Sequence, residues 1–166
     1  MAKNFDLVKT NHIAEGLSTI NLNYDISVYT QTQQINDKNF CAVPVKVNVS
    51  IVIENPTIYI SNSLEKDSCK YNIVMRHEKT HQQINIKTLE YYLPILKAAI
   101  TNIIKKQNNI PITDINQLDQ ATIQITEKYT KDIKPLIDYI KKEISQQQQR
   151  LDNMENYKFE SKLCRN

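Results

Sequence analysis

Two of the three histidines in this chain of 166 residues lie four apart, in the run Arg76-His77-Glu78-Lys79-Thr80-His81. On a helix, positions i and i+4 share a face, so the His77 and His81 imidazoles converge on one point. That arrangement suits a Zn²⁺ ion held at about 2.0–2.1 Å by each nitrogen. Glu78 directly follows the first histidine, which sets its carboxylate beside such an ion, where it can accept a proton from an activated water. The expected chemistry is metal-assisted hydrolysis, with His77 and His81 as metal ligands, Glu78 as general base and Zn²⁺ as cofactor. Ser-His-Asp and Cys-His arrangements are not legible, because both histidines of the pattern are committed to the metal.

A catalytic zinc site commonly has three protein ligands and an open fourth position. No histidine follows His81, and His12, in the N-terminal segment, reads as solvent-exposed. The third ligand is therefore expected to be acidic. Glu90 is the nearest candidate, but nine residues of unbroken helix turn through about 900° and rise about 13 Å, which puts it on the opposite face. Glu143 is the first choice. In a helical hairpin turning near Pro111, antiparallel pairing sets position 79 opposite about position 143, and Glu143 lies at the edge of its helix's apolar stripe. Gln148 and Asp152 lie within one or two turns and take over if the turn centre moves by a few residues. Tyr91, Tyr92, Tyr139 and Tyr157 could offer a phenol to an oxyanion, although packing is the commoner use of tyrosine at a helix interface.

The elements that must position these groups follow from periodicity. Tyr24–Tyr29 and Val43–Ile53 alternate apolar and polar residues and predict half-buried strands, with Thr57–Ile60 resuming the pattern after Asn55-Pro56, where a hairpin is expected. Ser68 is placed to cap a helix whose apolar residues follow the 3.6 period from Tyr71 to Leu93. Pro94 can kink that helix without ending it, and the pattern continues to Ile104. Residues 105–116 read as a turn. From Leu118 to about Tyr157 a second long helix is expected, bent or split at Pro135. The predicted fold class is α+β: a small antiparallel sheet, the motif helix and a long helical hairpin, in one domain spanning residues 1–166. Gln146–Gln149 reads as a solvated helix face.

Composition removes several classes of function. Lys and Arg number 21 against 18 Asp and Glu, scattered along the chain, so no basic stripe for nucleic acid is present. No run of 18 apolar residues exists, so no membrane span is expected. Met1 to Asp25 lacks the apolar core and cleavage site of a secretory signal, leaving either a cytosolic protein or a mature chain whose signal has been removed. Of Cys41, Cys69 and Cys164, the first precedes a strand and the second a helix. A Cys41–Cys69 disulfide is expected in an oxidising compartment, with free buried cysteines as the alternative.

The strand at Thr57–Ile60 followed by the motif helix is the order found in zincins, where an edge strand lines the cleft above the metal. Ser68-Cys69-Lys70-Tyr71, the motif itself, Ile84 and Leu89 resemble the bacterial family of predicted secreted zinc-dependent proteases. The likeness covers about Val45 to Leu93, with an echo at Leu151-Asp152-Asn153 and Asn156-Tyr157. It implies a zincin-like fold, a zinc cofactor, export to the periplasm or beyond, and His77, Glu78 and His81 as site residues. The expected function is peptide-bond hydrolysis on a peptide or protein substrate. The alternative is a zinc-binding structural or interaction module without catalytic activity, suggested by the small size of the chain.

Overall fold

The computed structural model describes residues 15–37, 39–106 and 109–164, and His12 lies outside them. Along the chain come β1 (Gly16–Asn36), β2 (Asn39–Ile60), α1 (Cys69–Lys105), β3 (Ile110–Ile112), a 3-10 turn at Ile115–Gln117, α2 (Leu118–Leu151) and α3 (Met154–Glu160). The fold is α+β, with a three-stranded antiparallel sheet in the order β1-β2-β3 and a helical hairpin of α1 and α2.

β1 and β2 form one long ribbon, from Gly16 opposite Ile60 to Asn36 opposite Asn39. The hairpin expected at Asn55-Pro56 is instead a bulge within β2. Thr19 pairs with Thr57 and Asn21 with Glu54, so Asn55 and Pro56 together oppose the single residue Ile20. Asn55 has φ of 50°, a left-handed conformation that Asn tolerates better than most residues. Pro56, with no N–H to donate, sits where the ladder is already interrupted. The partner of Thr57–Ile60 is therefore the beginning of β1, which the alternation at Tyr24–Tyr29 reveals only in its middle.

A second bulge, at Val45, shifts the phase of β2. Tyr29 pairs with Lys46 and Thr30 with Pro44. Beyond it Val47, Val49 and Ile51 pack on the core, as the alternation predicts. Before it the inward residue is Ala42, fully buried, and Val45 faces solvent. One inserted residue exchanges the two faces of a strand.

The core lies between the sheet and the helical hairpin. α2 supplies Ala121, Ile125, Tyr129, Ile133, Ile137, Ile140 and Ile144, spaced three or four apart as one helical face requires. α1 adds Leu96 and Ile100, and the strands add Ile26, Ala42 and Ile112. Ser68 caps α1 as expected, its hydroxyl accepting from the Tyr71 N–H at 3.2 Å. Both helices run through their internal prolines, Pro94 and Pro135. Among the described residues no helix is long and apolar enough to cross a membrane.

The expected helix to Tyr157 stops short. α2 ends at Leu151, Asp152 leaves helical geometry with ψ of 49°, and Asn153 caps α3 by accepting the Asn156 N–H at 2.8 Å. Asp and Asn compete with the helical backbone through their own short side chains, and here they turn the chain.

Candidate metal centre

The sequence-predicted pair meets as expected. His77 and His81 lie on one face of α1 with their Nε2 atoms 3.1 Å apart. The third group at that point is Asp152, whose Oδ1 lies 3.1 Å from His77 Nε2 and 3.0 Å from His81 Nε2. In a tetrahedral site with bonds of about 2.0–2.1 Å, ligand atoms stand about 3.3 Å from one another. The three separations thus match the edges of one face of such a tetrahedron to within a few tenths of an ångström. Among the described residues these three form the one His, Cys, Asp or Glu group able to hold an ion.

The outer contacts fix the tautomers. His77 Nδ1 lies 3.0 Å from Glu160 Oε2, and a carboxylate accepts, so that nitrogen carries a proton. His81 Nδ1 meets Gln148 Oε1. The Gln148 amide cannot face the other way, because its Nε2 donates to the His81 carbonyl at 2.9 Å and to Asn85 Oδ1 at 2.7 Å. With both Nδ1 positions donating, each neutral imidazole presents a bare Nε2 lone pair to Asp152 Oδ1. Three electron-pair donors aimed at one point repel each other unless positive charge lies between them. The donor set, two imidazoles and one carboxylate, suits zinc.

The electrostatic surroundings of the three groups point the same way. The Asp152 hydrogen bond raises the pKa of His77 above its ordinary 6.5 despite burial. Burial works to lower His81, but hydrogen bonds with Asp152 and Gln148 outweigh it and raise the group. Burial also works against the Asp152 carboxylate, yet His77 and His81, when protonated at Nε2, and the Tyr157 hydroxyl donate to it and hold it well below the usual carboxylate range. The site attracts a cation, proton or metal, at Nε2.

Glu78 stands outside the ligand set and is 5% exposed. Burial raises its carboxyl above the ordinary 4.5, against the pull of His81 and His77, and the backbone N–H of Ser18 donates to it. The only glycine of the chain, Gly16, opens β1 directly against this side chain. A Cβ there would fall 2.5 Å from Glu78 Oε1 and 2.7 Å from both Glu78 Cγ and Val74 Cγ1. Absence of a side chain at Gly16 is what lets strand and carboxylate meet.

No family model, curated protein or solved structure matches the chain. The atoms of the site therefore carry its interpretation.

Glu143, the first-choice third ligand, does not join the cluster: it stands by the Tyr92 hydroxyl instead. His81 faces Gln148 across the hairpin, so the hairpin's centre of symmetry falls near Asp114 and not at Pro111. Glu90 is exposed and pairs with Lys87 at 2.8 Å, in keeping with its place on the far face. Gln148 holds His81 through Nδ1, and Asp152 is the third member of the cluster.

Sequence reasoning missed Glu160 altogether and did not separate Tyr157 from the other tyrosines. The break at Asp152-Asn153 brings α3 back over the motif helix. Tyr157 stacks on His77 with ring centroids 5.3 Å apart and donates to Asp152 Oδ1 at 2.8 Å. Tyr91, Tyr92 and Tyr139 form an aromatic cluster of their own. The polar pair Asp152-Asn153, a cap signal inside an apparently continuous pattern, was the available clue.

The expected Cys41–Cys69 bridge is also corrected. Cys69 is bonded to Cys164, and Cys41 is free. Cys41 pairs with Pro111 near the start of β2, while Cys69 follows the end of that strand, about 60 Å of extended chain away at about 3.3 Å per residue.

Proposed function

We propose that the chain is a zinc-dependent metallopeptidase with a zincin-like arrangement, resembling the predicted secreted zinc-dependent proteases. The observation that carries this reading is the convergence of His77 Nε2, His81 Nε2 and Asp152 Oδ1 to within 3.1 Å of one another, with the buried Glu78 next to them and outside the ligand set. Zinc held by these three groups supplies a Lewis acid and brings the pKa of a water down to about 7.

The chain's own residues supply the rest. Glu78, raised by burial, accepts a proton from the attacking water and passes it to the departing amine nitrogen, the task of a general base and then acid. Gly16 and the Ser18 N–H keep the carboxylate in place. Glu160 and Gln148 hold the imidazoles in the tautomer that offers Nε2, and Tyr157 orients Asp152. β1 is an edge strand of the sheet, and its first residues lie against Glu78. An extended polypeptide adding along that edge passes the base, which favours a polypeptide over a small molecule as substrate. Thr57–Ile60, the edge expected from the sequence, pairs with β1 on one side, and β3 meets β2 only at Phe40–Ala42, so its other side is open to a strand as well.

A cleavage profile of a denatured proteome, comparing wild type with Glu78→Gln at equal zinc occupancy, tests the assignment. Cleavages present in wild type and lost in the variant support it. Identical profiles would reject a peptidase and leave a zinc-binding module.

A further inference from the structure

α3 carries Tyr157 and Glu160 onto His77, yet none of its residues is buried. Seven residues are too few for a stable helix on their own, since isolated helices below about 12–15 residues are marginal in water. Its larger apolar side chains, Met154, Tyr157 and Phe159, are 45–61% exposed. Apolar packing therefore does not account for the position of α3. Four residues beyond it, Cys164 is bonded to Cys69, the first residue of α1, and the Cys69 side of that bond faces solvent. The covalent bond closes the far end of α3 onto the helix that bears His77, two turns before the histidine.

From this placement we infer that α3 is a latched part of the metal centre. The Cys69–Cys164 disulfide holds Glu160 against His77 Nδ1 and Tyr157 against Asp152, so that a dithiol reductant lowers the affinity of the site for zinc. The inference rests on the metal site proposed above and adds its control by redox state. The chemistry balances as ordinary thiol–disulfide exchange. One thiolate of the dithiol attacks a sulfur of the bridge, the Cys69–Cys164 bond breaks and a mixed disulfide forms. The second thiol then displaces the remaining cysteine. Two electrons and two protons pass to Cys69 and Cys164, and the dithiol leaves as its own disulfide.

Freed from the latch, α3 frays. His77 then loses the carboxylate that fixes its tautomer, and Asp152 loses the Tyr157 hydroxyl. Loss of such outer contacts typically lowers metal affinity by about 10–100-fold. Glu160 and Tyr157 are thus positioning residues, acting through His77 and Asp152.

The test is competition for Zn²⁺ with a chromophoric chelator, at fixed pH and with no thiol present. It compares oxidised wild type, wild type reduced and alkylated at Cys69 and Cys164, and Glu160→Gln with its disulfide intact. The expected result is a loss of about 10–100-fold in zinc affinity on opening the bridge, with far-UV circular dichroism retained, and a loss in the same range for Glu160→Gln. Equal affinity in the oxidised and opened proteins would overturn the inference while leaving the metal site standing. If the opened protein unfolds, Glu160→Gln decides, because unchanged affinity in that variant contradicts the role given to α3. Oxidised wild type that binds no zinc would overturn both this inference and the metal site.

Discussion

Gly16 and Glu78 are in direct contact across the junction of β1 and α1, with a Cβ at position 16 falling 2.5 Å from Glu78 Oε1. The backbone of an edge strand thereby abuts the buried carboxylate that the proposed mechanism uses as its base. Gly16→Ala is expected to push the carboxylate aside while leaving His77, His81 and Asp152 in place. A displacement near 1 Å at a reacting group costs about 10²-fold in rate. Zinc content should stay at the wild-type level and turnover of a peptide substrate should fall by about that factor. An active Gly16→Ala protein would show that Glu78 does not need this contact.

The choice of third ligand is open to direct comparison. Asp152→Ala should weaken zinc binding by more than the roughly 10–100-fold typical of outer contacts, because it removes a proposed ligand atom. Glu143→Gln should bind zinc as wild type does, since Glu143 stands by Tyr92 and outside the cluster. Isothermal titration of the two variants separates the cases, and the reverse ranking would return Glu143 to the site.

The stability gap between zinc-bound and metal-free protein should widen as pH rises. The folded-state pKa values of His77 and His81 are raised from 6.5, so in metal-free protein their contribution is fully present below about 6.5 and is lost as pH rises through the folded values. Asp152 is shifted downward, and its contribution holds throughout that window. Zinc requires the unprotonated nitrogens, so its stabilising increment grows as pH rises through the same range. Thermal melts between pH 5.5 and 8.5, in chelator and in excess zinc, should diverge with increasing pH. Parallel curves would contradict the shared use of Nε2 by proton and metal.

Asn55 bears on the register of the sheet. Its φ of 50° suits Asn or Gly, and a β-branched residue there is strained. Asn55→Gly should be close to neutral, whereas Asn55→Val should cost about 1–3 kcal/mol in a denaturant titration. Equal costs would mean that the bulge adapts to its residue.

How much of this was legible in the sequence differs by element, for physical reasons. His77, Glu78 and His81 could be placed because a single helical turn fixes their relation. The same locality gave the Ser68 cap and the stripe of α2. Asp152 was named only as an alternative, since its position depends on the length and content of a connection 40 residues away and on a helix break between two polar residues. The Asn55 and Val45 bulges were illegible from alternation, because an inserted residue looks like noise in a period of two. Cys69–Cys164 and Glu160 depend on α3 folding back over α1, which no local pattern encodes.

Zinc stoichiometry by mass spectrometry under native conditions tests the central claim most directly, applied to wild type, Glu78→Gln and His81→Ala. One zinc ion per chain in wild type and in Glu78→Gln, and none in His81→Ala, is the result that the geometry of His77, His81 and Asp152 predicts. A wild-type chain without zinc, or a His81→Ala chain that retains it, would contradict the account.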